Sequence, residues 1–114
     1  MNHNQGFKDI VAAAKENVNE ITIEEVKKLQ ADGVDFVLVD TREDSEWDKG
    51  HIEGAIHLGK GIIERDIENT IPDHDKHIVL YCGGGSRSAL AAENLQKMGY
   101  TNVFSMIGGF RGWE

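Results

Sequence analysis

Cys82 is the only cysteine of the chain. It ends the apolar run "HIVLYC" and opens the stretch "GGGSRS". Gly83, Gly84 and Gly85 can take backbone angles closed to other residues, so successive amides can turn inward as a nest for negative charge. A helix beginning near Ser86 would add its positive N-terminal end. Arg87 adds a full positive charge to support the thiolate; it could equally, or at the same time, form a salt bridge to an acidic residue on a neighbouring helix and so hold the loop in shape. Ser86 and Ser88 are ready helix caps, and the Ser88 hydroxyl could also donate to the sulfur. These surroundings stabilise a thiolate, which is the nucleophilic form of the residue. A cysteine that merely fills a core is a small hydrophobe and needs none of them. The glycines could instead cradle a nucleotide phosphate, but no Gly-Lys-Ser/Thr follows them and no Gly-x-Gly-x-x-Gly is framed by strand and helix. Cys82 is therefore expected to be a nucleophile over an anion-binding loop of Gly83, Gly84, Gly85, Ser86, Arg87 and Ser88.

The remaining polar residues with chemical potential offer less. Asp40 ends the run "FVLVD", and Arg42 follows it two residues on. They could shape the edge of a site, but a structural role is the better expectation. Asp40 would cap the next turn and Arg42 would pair with an acidic neighbour, since a carboxylate gains an anion-stabilising site little. His51 could titrate near neutrality; a hydrogen-bonded loop role is expected instead. His74 and His77 flank a turn with Asp73 and Asp75, which reads as surface polarity rather than a metal site. The acidic stretch from Asp40 to Asp48 reads as a solvated helix face. Trp47 and Trp113 read as packing residues. With one cysteine there is no internal disulfide and no multi-cysteine zinc site. No cofactor and no metal are expected.

Elements must carry Cys82 and Asp40 to a common place. "FVLV" and "HIVLY" are continuous β-branched and aromatic runs, as in strands buried on both faces of a parallel sheet. In such sheets, ligands bind beyond the carboxyl ends of the strands. Asp40 and Cys82 are thus expected on one rim. Between the runs, the pattern alternates strand and helix. Phe7, Ile10, Val11 and Ala14 share one face of an N-terminal helix. Thr22 and Glu25 form a capping box before a helix from Ile23 to Ala31, with Ile21 and Val26 as its staple and Gly33 as its stop. A weak helix is expected over residues 61–69 and a stronger one over "SRSALAAENLQKMG". "AIHL" and "NVFSMI" read as further strands. The fold class is α/β, with a mostly parallel sheet between helices.

Composition narrows the partners. The 114 residues suit one domain, and 28% charged with 39% hydrophobic residues indicates a globular chain. A net charge of −8 disfavours nucleic acid and anionic membrane surfaces, both of which attract basic patches. The first twenty residues lack the apolar core expected of a signal peptide. A lone thiol suits a reducing compartment, so a cytoplasmic setting is expected.

Four stretches together resemble the single-domain rhodanese family of sulfurtransferases. They are "VDTRED" (39–44), "GHIEGAIHL" (50–58), "YCGGGSRSALAA" (81–92) and "GGFRGW" (108–113), in the family's order. The resemblance implies a rhodanese-like three-layer sandwich with a central five-stranded, mostly parallel sheet. Residues 20–114 would form the domain and 1–19 a helical arm packing on it. It implies that Cys82 takes a sulfane sulfur from a donor such as thiosulfate, becomes a persulfide, and passes the sulfur to cyanide or a thiol. The alternative is a persulfide relay or binding module serving a protein acceptor, with poor turnover of small donors. Related phosphatases and arsenate reductases carry five residues between cysteine and arginine, whereas four separate Cys82 from Arg87. The shorter loop suits one sulfur atom better than a tetrahedral oxyanion.

Overall fold

The computed structural model describes residues 3–114. Strands β1 (Asn19–Ile21), β2 (Val37–Asp40), β3 (Ile56–His57), β4 (Ile78–Tyr81) and β5 (Val103–Met106) alternate with helices α1 (Gln5–Asn17), α2 (Ile23–Ala31), α3 (Asp44–Asp48), α4 (Ile63–Thr70), α5 (Ser86–Lys97) and α6 (Gly109–Trp113). The five strands form one sheet in the order β1-β5-β4-β2-β3. Every pairing is parallel, so the sheet is wholly rather than mostly parallel. Both continuous apolar runs lie at its centre. Asp40 stands opposite Tyr81 in the β2–β4 register, which sets Asp40 beside the residue preceding Cys82.

The centre strands are buried on both faces, which is why their sequences do not alternate. On β4, Ile78 and Leu80 enter one apolar cluster with Ile63, Ile67, Ala91 and Leu95 of α4 and α5. Val79 and Tyr81 enter the opposite cluster with Val26, Ile52, Phe110 and Trp113. Helices therefore cover both faces, giving three layers. Each fully buried Leu, Ile or Val contributes about 1.5–3 kcal/mol relative to exposure.

Local sequence signals explain most boundaries. The Thr22 hydroxyl accepts from the Glu25 amide at 3.1 Å, and the Glu25 carboxylate accepts from the Thr22 amide at 3.0 Å. That reciprocal pair starts α2 where the capping box predicts. Ile21 and Val26 are both buried beneath it.

Two elements depart from the expectation. Val11 and Ala14 of α1 are buried, but Ile10 on the same predicted face is 55% exposed. Only a narrow stripe of α1 rests on α5, and Ile10 falls outside it. The second departure is α6, a five-residue helix with two glycines, Gly109 and Gly112. Glycine disfavours helix by about 1 kcal/mol, so no pattern announces this one.

Candidate active site

Cys82 follows β4 directly and is 1% exposed. The chain then turns through Gly83, Gly84 and Gly85 into α5. Gly85 sits at the helix N-cap with φ +102°, a left-handed conformation that only glycine takes without strain. This turn aims amides back at the sulfur. The Gly85 N–H donates to Cys82 Sγ at 3.0 Å, and Ser88 Oγ lies 3.6 Å from it. Ser88 Oγ also bonds Ser105 Oγ of β5 at 2.8 Å, with both side chains buried. Burial alone would push the Cys82 thiol up. The Ser88 amide and hydroxyl, joined by the Gly84 and Gly85 amides, outweigh it and hold the thiol below its ordinary value. Each hydrogen bond favours the charged form, so the site stabilises a thiolate.

Arg87 does not point its charge at the sulfur alone. Its guanidinium makes a forked pair with Glu46 of α3, Nη1 to Oε1 at 2.7 Å and Nη2 to Oε2 at 3.1 Å. The pairing raises the Arg87 guanidinium, and the Cys82 thiolate adds to that rise. It holds the Glu46 carboxyl down at about 2. The acidic stretch is therefore not simply a solvated face: Glu46 ties the cysteine loop to the far side of the site.

A second arginine stands at the rim. Arg111 of α6 lies over the glycines of the loop. A Cβ on Gly83 would sit 3.0 Å from Arg111 Nη1 and 3.1 Å from Arg87 Nη2, and one on Gly84 would meet the Arg111 guanidinium. α6 is held there by main-chain bonds, Phe110 N–H to the Cys82 carbonyl at 2.8 Å and Arg111 N–H to the Gly83 carbonyl at 3.1 Å. Gly109 permits this approach. Its φ is +56°, and a Cβ there would strike the Cys82 carbonyl and the Gly83 backbone.

A cavity of about 400 Å³ opens over the sulfur, lined by Cys82, Gly84, Ser86, Arg87, Arg111, Glu46, His3 and Phe7. The structure thus gathers Cys82 and its loop in one place. Asp40 and Arg42 lie beside it but outside this lining. Arg42 Nη2 donates to Asp40 Oδ2 at 2.8 Å, and the Arg42 amide donates to Asp40 Oδ1 at 2.8 Å. Arg42 Nη2 also donates to the Gly50 carbonyl at 2.7 Å, and its guanidinium stacks 4.3 Å from the Phe110 ring centre. Both residues are buried. His51 is exposed and stacks flat on Trp47 at 3.4 Å, with Nδ1 3.1 Å from the Trp47 carbonyl oxygen. It lies outside the cavity lining too. His74 pairs with Glu68 at 2.9 Å. His77 is no surface residue: it is half-buried between Phe36 and Phe104. No cluster of three or more metal-ligating side chains occurs among the described residues.

Sequence inspection did not single out Glu46, Ser105, Arg111, His3 or Phe7 as site residues. Arg111 sat in plain view inside "GGFRGW", but nothing local shows that this segment folds back over residues 82–84. Thr41 was missed as well. Its amide and hydroxyl both donate to the Tyr81 carbonyl, at 2.8 and 2.9 Å, fixing the strand end that presents Cys82.

A cysteine beyond the carboxyl end of a central parallel strand, over a glycine loop and the start of a long helix, defines an α/β domain that holds a thiol in an anion-stabilising turn. The Rhodanese-like domain model matches residues 22–114. The chain belongs to that family. It is 37% identical over 94 residues to the thiosulfate sulfurtransferase GlpE of Haemophilus influenzae, covering 82% of this chain and 86% of that protein. It is 31% identical over 97 residues to the "Putative sulfur carrier protein YrkF" of Bacillus subtilis, covering 85% of this chain and 51% of YrkF. The chain thus spans about half the length of that relative. Among solved structures it is similar to a Rhodopseudomonas palustris protein of unknown function described as "Possible Tyrosine Phosphatase". That match has a TM-score of 0.85 and 33% identity, covering 99% of this chain and 92% of the other. No helix among the described residues is long and apolar enough to cross a membrane.

Proposed function

We propose that the protein transfers sulfane sulfur through a persulfide on Cys82. The Cys82 thiolate attacks the outer sulfur of a donor such as thiosulfate. The new S–S bond forms as the donor's own S–S bond breaks, and sulfite leaves with the electron pair. Cyanide or a thiol then attacks the outer persulfide sulfur, and the Cys82 thiolate departs. Neither step with anionic partners needs a general base. The kinetics are double displacement.

The observation that carries this reading is the Gly85 amide donating to Cys82 Sγ at 3.0 Å, with Ser88 Oγ at 3.6 Å. Donors fixed before reaction are worth more than donors that must reorient, because no reorganisation accompanies the charge. In the persulfide, the same loop from Gly83 to Ser88 would hold the terminal sulfur. GlpE, named a thiosulfate sulfurtransferase, supports the donor class. YrkF supports a second reading, a relay that hands sulfur to one protein acceptor. A lone free thiol suits a reducing cytoplasm. The four-residue spacing from Cys82 to Arg87 disfavours phosphate and arsenate chemistry.

Intact-mass measurement after incubation with thiosulfate tests the reading. One added sulfur atom on the protein, absent in Cys82→Ser and removed by cyanide, is the expected result. Sulfur on Cys82→Ser, or none on the native chain, would refute it. Slow thiocyanate release beside fast transfer to a protein thiol would favour the relay.

A further inference from the structure

The cavity over Cys82 is larger than the proposed small donors require. At about 400 Å³ it falls among pockets that enclose organic molecules, which run from roughly 300 to 1,000 Å³. Its polar lining comes from the cysteine loop with Arg87, and from Arg111 and Glu46. An aromatic wall is formed by Phe7 of α1 and by His3 just before that helix, with ring centres 4.8 Å apart. The wall is held in place: Val11 and Ala14 are buried, and α1 lies along α5, the helix that carries Arg87 and Ser88. Asn17 at the end of α1 donates to Glu93 of α5 at 3.1 Å. This helix lies outside residues 22–114, the part matched by the family model.

Arg111 completes the pattern. Its guanidinium lines the same cavity, and among the described residues no side chain accepts a hydrogen bond from it. Arg87 is committed to Glu46, so Arg111 is the arginine with donors to spare. An uncommitted guanidinium at a pocket rim suits the paired oxygens of a sulfonyl or carboxylate group.

On the reading that Cys82 carries sulfane sulfur, we propose that the site selects aromatic organic sulfane donors, with Phe7 contacting the ring and Arg111 the anionic oxygens. An aryl thiosulfonate represents the class. The Cys82 thiolate attacks its outer sulfur, the S–S bond breaks, and the aryl sulfinate leaves with the electron pair. The charge on each side of that step is the same. The donor's ring would lie against Phe7, and its sulfonyl oxygens would face Arg111.

The test uses the full chain and separates the two half-reactions. Benzenethiosulfonate and methanethiosulfonate are compared as donors, with persulfide formation followed by mass. The native chain should prefer the aryl donor by about ten-fold in kcat/KM. Phe7→Ala and Phe7→Leu should each remove most of that preference, the second while keeping much of the apolar bulk. Comparing the ratio across variants cancels the donors' own reactivities. Ile10→Ala, exposed on the same helix, should leave the ratio unchanged. A ratio unmoved by both Phe7 variants would overturn the proposal, as would a ring preference confined to the acceptor step. Binding of benzenesulfinate to Cys82→Ser protein gives a readout free of sulfur transfer. There, adding Phe7→Leu or Arg111→Gln should weaken binding about ten-fold. Binding that keeps this dependence while no donor loads sulfur would sink the persulfide reading and leave the pocket assignment standing. Normal sulfur loading with unaltered binding would do the reverse.

Discussion

Glu46 and Arg87 lock together across the mouth of the candidate site, Oε1 to Nη1 at 2.7 Å and Oε2 to Nη2 at 3.1 Å, though they stand 41 positions apart in the sequence. The pair joins α3 to the first turn of α5. It fixes the loop that surrounds Cys82 and absorbs much of Arg87's charge. The thiolate is consequently stabilised mainly by dipoles, the Ser88, Gly84 and Gly85 amides and the Ser88 hydroxyl.

The pair makes stability depend on acid in a defined window. Arg87 holds Glu46 at about 2 against an ordinary 4.5. A depressed carboxyl contributes stability above its ordinary pKa and loses it as pH falls through the folded value. Glu46→Gln should lower stability by about 0.5–1 kcal/mol at neutral pH, a modest figure because the pair is partly exposed. The gap between native and variant should narrow as pH drops from about 4.5 towards 2. Urea titrations at several pH values would show it. Parallel curves down to the lowest pH would mean that the pair contributes nothing.

Ser88 is the strongest single test of how the thiolate is held. Its hydroxyl lies between Cys82 and Ser105, bonded to the latter at 2.8 Å. Ser88→Ala removes one donor and leaves Ser105 buried with a lost partner. The pH at which Cys82 becomes half-alkylated by iodoacetamide should move upward. Sulfur transfer at neutral pH should fall about ten- to a hundred-fold, in line with the loss of one preorganised donor. Ser105→Ala should act in the same direction but less, because it touches the sulfur only through Ser88. An alkylation profile unchanged in Ser88→Ala would assign the shift to the loop amides alone.

Gly109 makes a sharper prediction about the fold. Its φ of +56° strains any other residue, and its missing Cβ makes room for the Cys82 carbonyl and the Gly83 backbone. Backbone cannot swing aside as a side chain can. Gly109→Ala should therefore cost about 2–3 kcal/mol and displace α6. Two main-chain bonds, from Phe110 and Arg111 to the loop, would go with it. Gly112→Ala is the contrast. The Cβ there would meet the Ile23 side-chain tip, 2.7 Å away, which can rotate. A denaturant midpoint equally low in both variants would refute the backbone argument.

What was legible in the chain was local. The capping box at Thr22 and Glu25, the two continuous strands and the Cys82 loop each declare themselves within about ten residues. Parallel strands deliver their carboxyl ends to one edge, so Asp40 and Cys82 could be placed together before any coordinates. What stayed hidden depends on distant segments meeting. Glu46 looked like one carboxylate in an acidic run until α5 brought Arg87 to it. Nothing local marks Ser105 of β5, because its partner, Ser88, lies in α5. The helix α6 that brings Arg111 to the loop was invisible because its two glycines erase the helical pattern. Phe7 matched a core-facing stripe, and periodicity cannot distinguish a core from the wall of a cavity.

The Asp40–Arg42 pair tests whether the family element "VDTRED" supports the site or takes part in it. Asp40 accepts from the Arg42 amide and guanidinium, and Arg42 reaches the Gly50 carbonyl and the face of Phe110. Through Phe110 the pair touches α6, and through α6 the loop carbonyl of Cys82. Both side chains are buried, so removing one partner strands the other's charge in a low-dielectric interior. Asp40→Asn or Arg42→Met alone should cost about 3–5 kcal/mol. The double variant Asp40→Asn with Arg42→Met should recover part of that loss, because no unpaired charge remains. Neither residue lines the cavity over the sulfur. Persulfide formation per folded molecule should therefore stay within about three-fold of native, a small barrier change, when assayed well below the melting temperature. Thermal melts beside single-turnover mass measurements would separate the two effects. A hundred-fold slower reaction in a fully folded Asp40→Asn protein would move this pair from scaffold to chemistry.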